Sequence, residues 1–323
     1  GFWFVRRSRE ICERGMYIGL NGFEYQVYMD IHEVADGADH KYQILCDTLQ
    51  GRGCYDLEVE WQEICYRDLY QTFSAFATTV LPAVHSIVNP VTGKITEAEA
   101  KKQLKEVSKS VENAALAFYD MANKFAGETK LSAPEKQFKN FVASAEKILL
   151  LRVGNKAKVS EDIIASLKKA KDTESYYHAL FGTDKNLPEQ LVCYAMVEEY
   201  AKAGLAERWA FARKFAEYLG AAGINLGDSL NNTNRLFILS GATDGAAMAK
   251  DEKKALYALL HLMCESSYAR ALTGANGFNG TVWFNKETTE WTLAHAFAVL
   301  LLDEKNEKEV LTHLETLGYK PLH

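Results

Sequence analysis

The chain has 323 residues, of which 48% are hydrophobic and 25% charged, with a formal net charge of −6. These values are ordinary for a globular protein of roughly one to three domains. Nucleic acids and anionic membrane surfaces attract clustered lysine and arginine, so we expect neither as a partner.

The first 35 residues are typical of β-strands. Residues 16–20 and 23–31 flank Asn21-Gly22, a dipeptide that favours two-residue hairpin turns because both residues tolerate positive φ. Apolar and polar residues alternate from Phe23 to Ile31, as in a strand with one buried face. An isolated hairpin is marginal in water. The sequence therefore predicts an N-terminal hairpin that either is covered by the helices or pairs with strands upstream of it, and the strand character of the N-terminus favours the second alternative.

From Asp36 onward the hydrophobic periodicity is helical, and the clearest predicted helix covers residues 96–126. Thr96 and Glu99 have the spacing of a capping box. An apolar stripe with a seven-residue period predicts a bundle helix. Its members are Leu104, Val111, Phe118 and Phe125, with Val107, Ala114 and Met121 between them.

A second long helix is predicted from residue 132 to 154, with Ser132 as N-cap and Pro134 in its first turn. Further helices are expected near residues 160–167, 187–200, 207–219, 250–271 and 286–302. We expect the five prolines at helix boundaries, because proline interrupts helical hydrogen bonding.

The predicted fold class is mainly α, a multi-helix bundle-like domain preceded by a short N-terminal β-hairpin or strand segment. Residues 1–35 are expected to be the terminal strands of a β-domain. Residues 36–323 are expected to form the helical domain, with two sub-bundles dividing near 155–185. Short connecting loops favour antiparallel neighbours, and helix lengths do not recur as they would in a solenoid.

The six cysteines are irregularly spaced, and none forms a CxxC pair. We interpret them as free, buried thiols in a reducing compartment, which indicates a cytoplasmic protein. His261 and Cys264 could share a helical face, but two ligands without a third do not make a zinc site.

Motifs that would indicate an active site are missing from the sequence. The glycine-bearing loops lack Walker spacing, and neither GxSxG nor HExxH occurs. A group of acids near the N-terminus is interpreted as solvated helix faces: Glu33, Asp36, Asp39, Glu58, Glu60 and Glu63. We therefore predict no catalytic, cofactor-binding or metal-binding residue in this chain, and no cofactor.

Trp283-Phe284 follows a glycine-rich loop and precedes a predicted helix. Aromatic residues at such a position usually plug a core as a staple across the helix start, and this is the interpretation we favour. A platform for stacking sugar rings and a contact with a partner domain are the alternatives.

Three stretches together resemble the C-terminal region of long bacterial proteins of the α-amylase superfamily of glycoside hydrolases. They are LNGFEYQVYMDIHEV at residues 20–34, LQGRG at 49–53 and WFNKE at 283–287. In that family a catalytic (β/α)₈ barrel precedes a small β-domain, and some members continue into a helical extension. The resemblance covers about a tenth of the chain, and none of the catalytic barrel motifs has a counterpart here.

The resemblance implies a non-catalytic helical accessory region of an α-amylase-family glycoside hydrolase acting on α-glucans. Its partners would be the upstream catalytic domain of the same polypeptide and an α-glucan. The alternative is a helical protein–protein interaction module with no carbohydrate role. A third possibility is an enzyme whose site is assembled between helices from scattered histidines, cysteines and acids, which clustered groups with perturbed pKa values would support.

Overall fold

The computed structural model describes residues 1–90, 94–154, 162–221, 223, 233–237, 240 and 267–314. These residues are mainly helical, as the sequence predicts. The chain divides into two compact units, Gly1–Tyr70 and Gln71–His323. The domain boundary expected at residue 35 and the subdivision near 155–185 stay predictions.

The first unit has a small core built from two helices. Its helices are α1 (Ser8–Arg14), α2 (Lys41–Leu49) and α3 (Leu57–Cys65). Leu45, Leu49 and Cys54 are buried, and side chains that include Val5 and Trp61 pack against them. No residue of α1 is buried, so α1 adds little to this core.

The predicted N-terminal hairpin is wrong, because residues 16–31 form no strand in this described stretch. Of the predicted turn, the structure has one backbone hydrogen bond, from Glu24 N to Asn21 O at 3.1 Å. The large apolar side chains of both arms are exposed, so no core of the first unit covers this segment. Since a hairpin without a third strand or a covering helix is marginal, alternation alone does not produce strands here.

The second unit contains most of the helices, and α4 (Arg67–Val88) runs across the division into it. The helices that follow are α5 (Glu97–Ala126), α6 (Pro134–Val153), α7 (Ile163–Lys168), α8 (Thr173–Thr183), α9 (Leu187–Met196), α10 (Glu198–Lys202), α11 (Leu205–Arg208) and α12 (Phe211–Ala221). Later elements are α13 (Ser267–Thr273), β1 (Asn276–Phe278), β2 (Thr281–Trp283), α14 (Lys286–Leu300), a 3₁₀ turn (Glu304–Asn306) and α15 (Glu307–Thr312). Within the described residues, no helix is both long and apolar enough to cross a membrane.

Helix α5 confirms its predicted start and corrects its predicted face. Thr96 Oγ1 accepts from Glu99 N at 3.3 Å, and Glu99 Oε2 accepts from Thr96 N at 2.9 Å, which completes the capping box. The first row of the stripe is buried as predicted, at Leu104, Val111 and Phe118. The second buried row is Ser108, Ala115 and Ala122, one residue beyond the predicted row, and Phe125 is exposed.

Prolines and helix breaks depart from the prediction in two ways. Pro82 lies inside α4, whereas Pro90, Pro134 and Pro188 lie at helix boundaries as expected. The helix predicted over 187–200 breaks at Val197, and the helix predicted over 207–219 breaks before Phe211.

Aromatic rings dominate the core of the second unit. Phe73 on α4 lies 5.1 Å from Phe118 of α5 and 4.6 Å from Phe211 of α12, measured between ring centroids. Tyr176 on α8 donates from its hydroxyl to Ala294 O of α14 at 2.8 Å. Each ring buries a large apolar area, so these contacts fix how the helices pack.

The β-hairpin of this protein lies late in the chain, at β1 and β2. Its strands pair Asn276 with Trp283 and Phe278 with Thr281 in an antiparallel register. The connecting residues Asn279 and Gly280 have φ values of 50° and 73°. Two positive φ values in succession are what a type I′ turn requires, so this Asn-Gly dipeptide makes the turn that the sequence predicts at residues 21–22.

Candidate functional site

The N-terminal apolar segment, defined as residues 16–34, exposes many large apolar side chains of the first unit. Phe23, Tyr25, Val27, Met29 and Ile31 occupy alternate positions, and each is at least 69% exposed. Single exposed apolar residues are normal, whereas a run of them is a candidate interaction surface. The segment is therefore our first candidate site.

The residues that precede this segment are held on the first unit. Trp3 and Cys54 exchange two backbone hydrogen bonds of 2.7 and 2.9 Å. Arg6 donates from Nη2 to Gly51 O at 2.7 Å. A Cβ added at Gly53 would meet atoms of Phe2 and the Phe4 ring at 2.9 Å, so only glycine allows this close approach.

Two of the six acids noted in the sequence have structural roles in the first unit. Asp36 accepts from Tyr42 N and Gln43 N, both at 3.0 Å, near the start of α2. Burial acts to raise the pKa of Asp36, but these backbone hydrogen bonds and one from Gly37 outweigh it and lower the pKa. Glu58 on α3 forms an ion pair with Lys41 on α2. Both acids stabilise the ends and the packing of helices.

A buried carboxyl that the sequence did not single out joins α4 and α9. Glu189 has no solvent exposure, and its Oε1 accepts from Asn89 Nδ2 at 2.9 Å and lies 3.2 Å from His85 Nδ1. Among the described residues, its Oε2 has no hydrogen-bond partner. Burial raises the pKa of Glu189 to about 7, against the opposing effect of the nearby Arg152 charge.

Glu189 can exchange a proton near neutral pH, because its pKa is raised to about 7. The side chain of His85 is 30% exposed, which gives solvent protons a route to the pair. Such a pair is typical of general acid–base sites and also of buried structural networks. The sequence did not indicate Glu189 as a site residue, because an acid in the first turn of a helix such as α9 is common. The available signal was its place inside an almost uninterrupted apolar run over residues 187–197.

A second polar network fills the space between α5, α6 and the α9–α10 break. Tyr119 donates to Met196 O at 3.0 Å, and Tyr200 donates to Gln137 Oε1 at 2.8 Å. The pocket beside them leaves about 20 Å³ for the centre of a water molecule. That is room for about one water.

A buried histidine lies in α14. His295 is fully buried, and its Nδ1 donates to Trp291 O at 2.7 Å. Among the described residues its Nε2 has no partner. Burial, together with the charge of Arg235, lowers the pKa of His295 to about 3, so this ring is neutral at physiological pH.

The aromatic pair Trp283-Phe284 does not plug a core as we favoured. Trp283 on β2 is 63% exposed, and Phe278 across the hairpin is 67% exposed. Only Phe284 is half-buried. The helix start at α14 is capped instead by Asn285, whose Oδ1 accepts from Thr288 N at 3.0 Å. The two alternatives, a sugar platform and a partner contact, stay open.

Metal and phosphate sites gain no support. His261 and Cys264 lie outside the described residues, as does the glycine-bearing loop at 241–245. Within the part of the chain that the structure describes, no three His, Cys, Asp or Glu side chains come together as metal ligands.

Comparison with known proteins gives no family for this chain. No protein-family model, no curated protein and no solved structure matches it. The resemblance to the α-amylase superfamily, and the function it implies, therefore stay predictions.

Proposed function

We propose that this chain is a non-catalytic helical accessory region that docks, through its N-terminal apolar segment, onto a β-domain of an α-amylase-family glycoside hydrolase acting on α-glucans. One observation carries the docking: alternate, exposed apolar side chains over residues 23–31. The family rests on the three stretches of resemblance at residues 20–34, 49–53 and 283–287. The upstream catalytic domain and an α-glucan are the partners of this proposal.

The backbone N–H groups of the segment support strand addition as the docking mode, and Phe23 and Asp30, with φ values of 66° and 55°, would become extended on docking. Among the described residues, the N–H groups of residues 25–35 have no backbone acceptor. An extended chain added to a sheet edge satisfies these groups, while alternate side chains enter the partner's core. Val27, Met29 and Ile31 would lie on the buried face of such a strand.

The energy available from docking is substantial. Burying one side chain of the size of valine or methionine contributes about 1.5–3 kcal/mol. Ordering a short strand costs about 1–2 kcal/mol per residue for the backbone. The burial energy of three such side chains exceeds this cost only when backbone hydrogen bonds also form. A sheet edge provides both contributions, and a flat helical partner does not.

A cytoplasmic location belongs to the same proposal. Five cysteines of the described residues are free thiols: Cys12, Cys46, Cys54, Cys65 and Cys193. Only Cys54 and Cys193 of these five are buried as predicted. Free thiols persist in reducing compartments, which supports this location.

The absence of catalysis is tested directly. The purified chain is incubated with starch or maltooligosaccharides, and released reducing ends are measured. We expect no turnover above a buffer control. Glycosidic cleavage by this chain would refute the non-catalytic role.

Docking is tested with variants of the two faces of the segment. The partner is a separately expressed barrel and β-domain from the reading frame that contains this segment. We expect a variant with serine at Tyr25, Val27 and Met29 to bind at least about 100-fold more weakly, because it loses the buried apolar surface.

The matched control carries serine at Glu24, Gln26 and Asp30, which alternate with the apolar positions. We expect this control to bind within about three-fold of the parent chain, as for surface substitutions. Equal weakening by both variants would contradict strand addition. A reading frame without a barrel and β-domain would favour the helical protein–protein interaction module.

A further inference from the structure

We infer that one face of the β1–β2 hairpin is a binding platform for a neutral oligosaccharide, with Trp283 and Phe278 as the stacking rings. This inference deepens the α-glucan partner of the proposed function, but it does not rest on docking through the N-terminal apolar segment. A chain that fails to dock could still bind sugar through this face, and the reverse also holds.

The strand register places both rings on one face of the hairpin. Asn276 lies opposite Trp283, and Phe278 lies opposite Thr281. Directly opposite residues share a face, as do residues two apart along a strand. The platform face therefore carries these four side chains, whereas Gly277 and Val282 form the other face.

The spacing and exposure of the rings suit a chain of sugar rings. Trp283 is the diagonal neighbour of Phe278, and such positions lie about 7–8 Å apart. The two side chains are 63% and 67% exposed. Two open aromatic faces at this separation can take the apolar C–H faces of neighbouring pyranose units.

The polar groups beside the rings match the same ligand. Asn276 has an amide and Thr281 a hydroxyl, both able to exchange hydrogen bonds with sugar hydroxyls. No charged residue occurs between Gly274 and Asn285. Single-stranded nucleic acid also stacks on aromatic rings, but it requires a positively charged groove, which this hairpin lacks.

The platform is held in place before any ligand arrives. The Asn279-Gly280 turn has the two positive φ values that favour a tight hairpin. At its base, Asn285 N donates to Thr273 O at 3.0 Å, and Ala275 N donates to Arg270 O at 2.9 Å. Pre-organisation lowers the entropy that binding must spend.

A stable protein partner would need more surface than this face offers. Specific protein interfaces bury about 800 Å² on each partner. A fully buried Phe or Trp contributes about 150–250 Å², so two partly exposed rings fall well short. A small flat ligand fits the available area.

The test follows the indole N–H signal of Trp283 by NMR during titration with maltoheptaose and, separately, with cellohexaose. Trp283→Phe identifies the signal by its loss. We expect a saturable shift with at least one of the two oligosaccharides, with a Kd on the order of 0.1–10 mM, as for a small open site.

Variants separate the platform from the rest of the hairpin. Trp283→Ala and Phe278→Ala should each weaken binding by about five-fold or more, measured by calorimetry, because each variant removes one stacking ring. Trp283→Phe should retain most of the affinity, because it keeps a ring. Val282→Ala, on the opposite face of the same hairpin, is the matched control and should bind as the parent does.

Three outcomes would overturn the inference. The first is the absence of any shift with both oligosaccharides at 10 mM or more, which is roughly the weakest Kd expected for such a site. The second is equal weakening of binding by Val282→Ala, and the third is binding of the hairpin to neutral phospholipid vesicles in place of sugar. Loss of binding in Trp283→Phe together with an unchanged hairpin amide spectrum would also contradict a stacking role.

Discussion

Two carboxyls of this protein illustrate how far a residue's surroundings decide its chemistry. Asp36 is exposed and accepts three backbone N–H groups, and its pKa is lowered. Glu189 is buried between α4 and α9, and its pKa is raised to about 7. The sequence partly predicts the role of Asp36 near a helix start, because Asp36 precedes a stretch with helical apolar periodicity. The burial of Glu189 depends on which helix covers α9, and local sequence does not encode that.

Glu189 should make the second unit lose stability as pH rises. Its folded-state pKa of about 7 exceeds the ordinary value of 4.5, so the folded protein keeps a proton that the unfolded chain releases. Stability is therefore full below pH 4.5, falls between about pH 4.5 and 7, and is then constant. The total loss is about 3 kcal/mol.

Glu189→Gln should remove this loss, since an amide does not ionise. In urea unfolding, we expect the variant to be more stable than the parent by about 2–3 kcal/mol at pH 8 and nearly equal at pH 4.5. Glu106→Gln, an exposed change on α5, serves as the control. Parallel stability curves for the parent and Glu189→Gln across this range would contradict the assignment.

Gly53 should tolerate no side chain. A Cβ there would meet Phe2 and Phe4 atoms at 2.9 Å, so residues 1–7 must move away from the turn after α2. We expect Gly53→Ala to speed hydrogen exchange at the amides of Trp3 and Cys54 by about ten-fold or more, because overpacking costs about 1–3 kcal/mol. Gly22→Ala has open space around its Cβ and should leave these rates unchanged.

At the scale of elements, the same dipeptide gives two different outcomes. Asn279-Gly280 closes a real hairpin, whereas Asn21-Gly22 does not, although its flanking alternation is longer. The later hairpin is anchored at its base by hydrogen bonds to α13, through Ala275 and Asn285. A turn signal predicts where a chain can reverse, and tertiary contacts decide whether strands form.

Helix α5 shows the same division between local and tertiary information. Its capping box is a local feature and was predicted in full at Thr96 and Glu99. The buried face depends on the neighbouring helices, and the second buried row at Ser108, Ala115 and Ala122 falls one residue beyond the predicted row. Three- and four-residue steps are both compatible with a helix of 3.6 residues per turn, so sequence alone did not choose between them.

Thr96→Ala should destabilise the second unit by about 1 kcal/mol, the usual cost of losing an N-cap hydroxyl. The pKa of Glu99 is lowered by hydrogen bonds from the backbone and hydroxyl of Thr96, so it should move back towards its ordinary value. Urea unfolding and NMR titration of Glu99 measure the two effects. Ser110→Ala, an exposed hydroxyl change inside the same helix, should alter stability by less than about 0.5 kcal/mol.

At the scale of the whole molecule, the mainly helical fold was predictable because apolar periodicity persists over many helices. The candidate sites were less predictable from the sequence. Trp283 was assigned to a core because its position before a helix favours a staple, yet it is exposed. Exposure depends on how the hairpin projects from its anchoring helices, which no local pattern records.

The N-terminal apolar segment should also make the isolated chain self-associate. Exposed apolar residues with unpaired backbone groups are a template for pairing with another copy. In sedimentation velocity at high micromolar concentration, we expect concentration-dependent association of the parent chain. The variant with serine at Tyr25, Val27 and Met29 should show less of it, and the variant with serine at Glu24, Gln26 and Asp30 should behave as the parent does. Identical sedimentation of all three chains would contradict this expectation.

The two backbone hydrogen bonds between Trp3 and Cys54 have a consequence for how the segment can be captured. They close residues 3–54 into a loop, and the C-terminal part of this loop is fixed by α2, whose Leu45 and Leu49 lie in the core. Bringing the ends of a long loop together costs entropy that grows with the logarithm of its length, and the folded first unit has already met this cost. A partner that binds residues 16–34 therefore needs to order only the residues between the Trp3–Cys54 hydrogen bonds and α2.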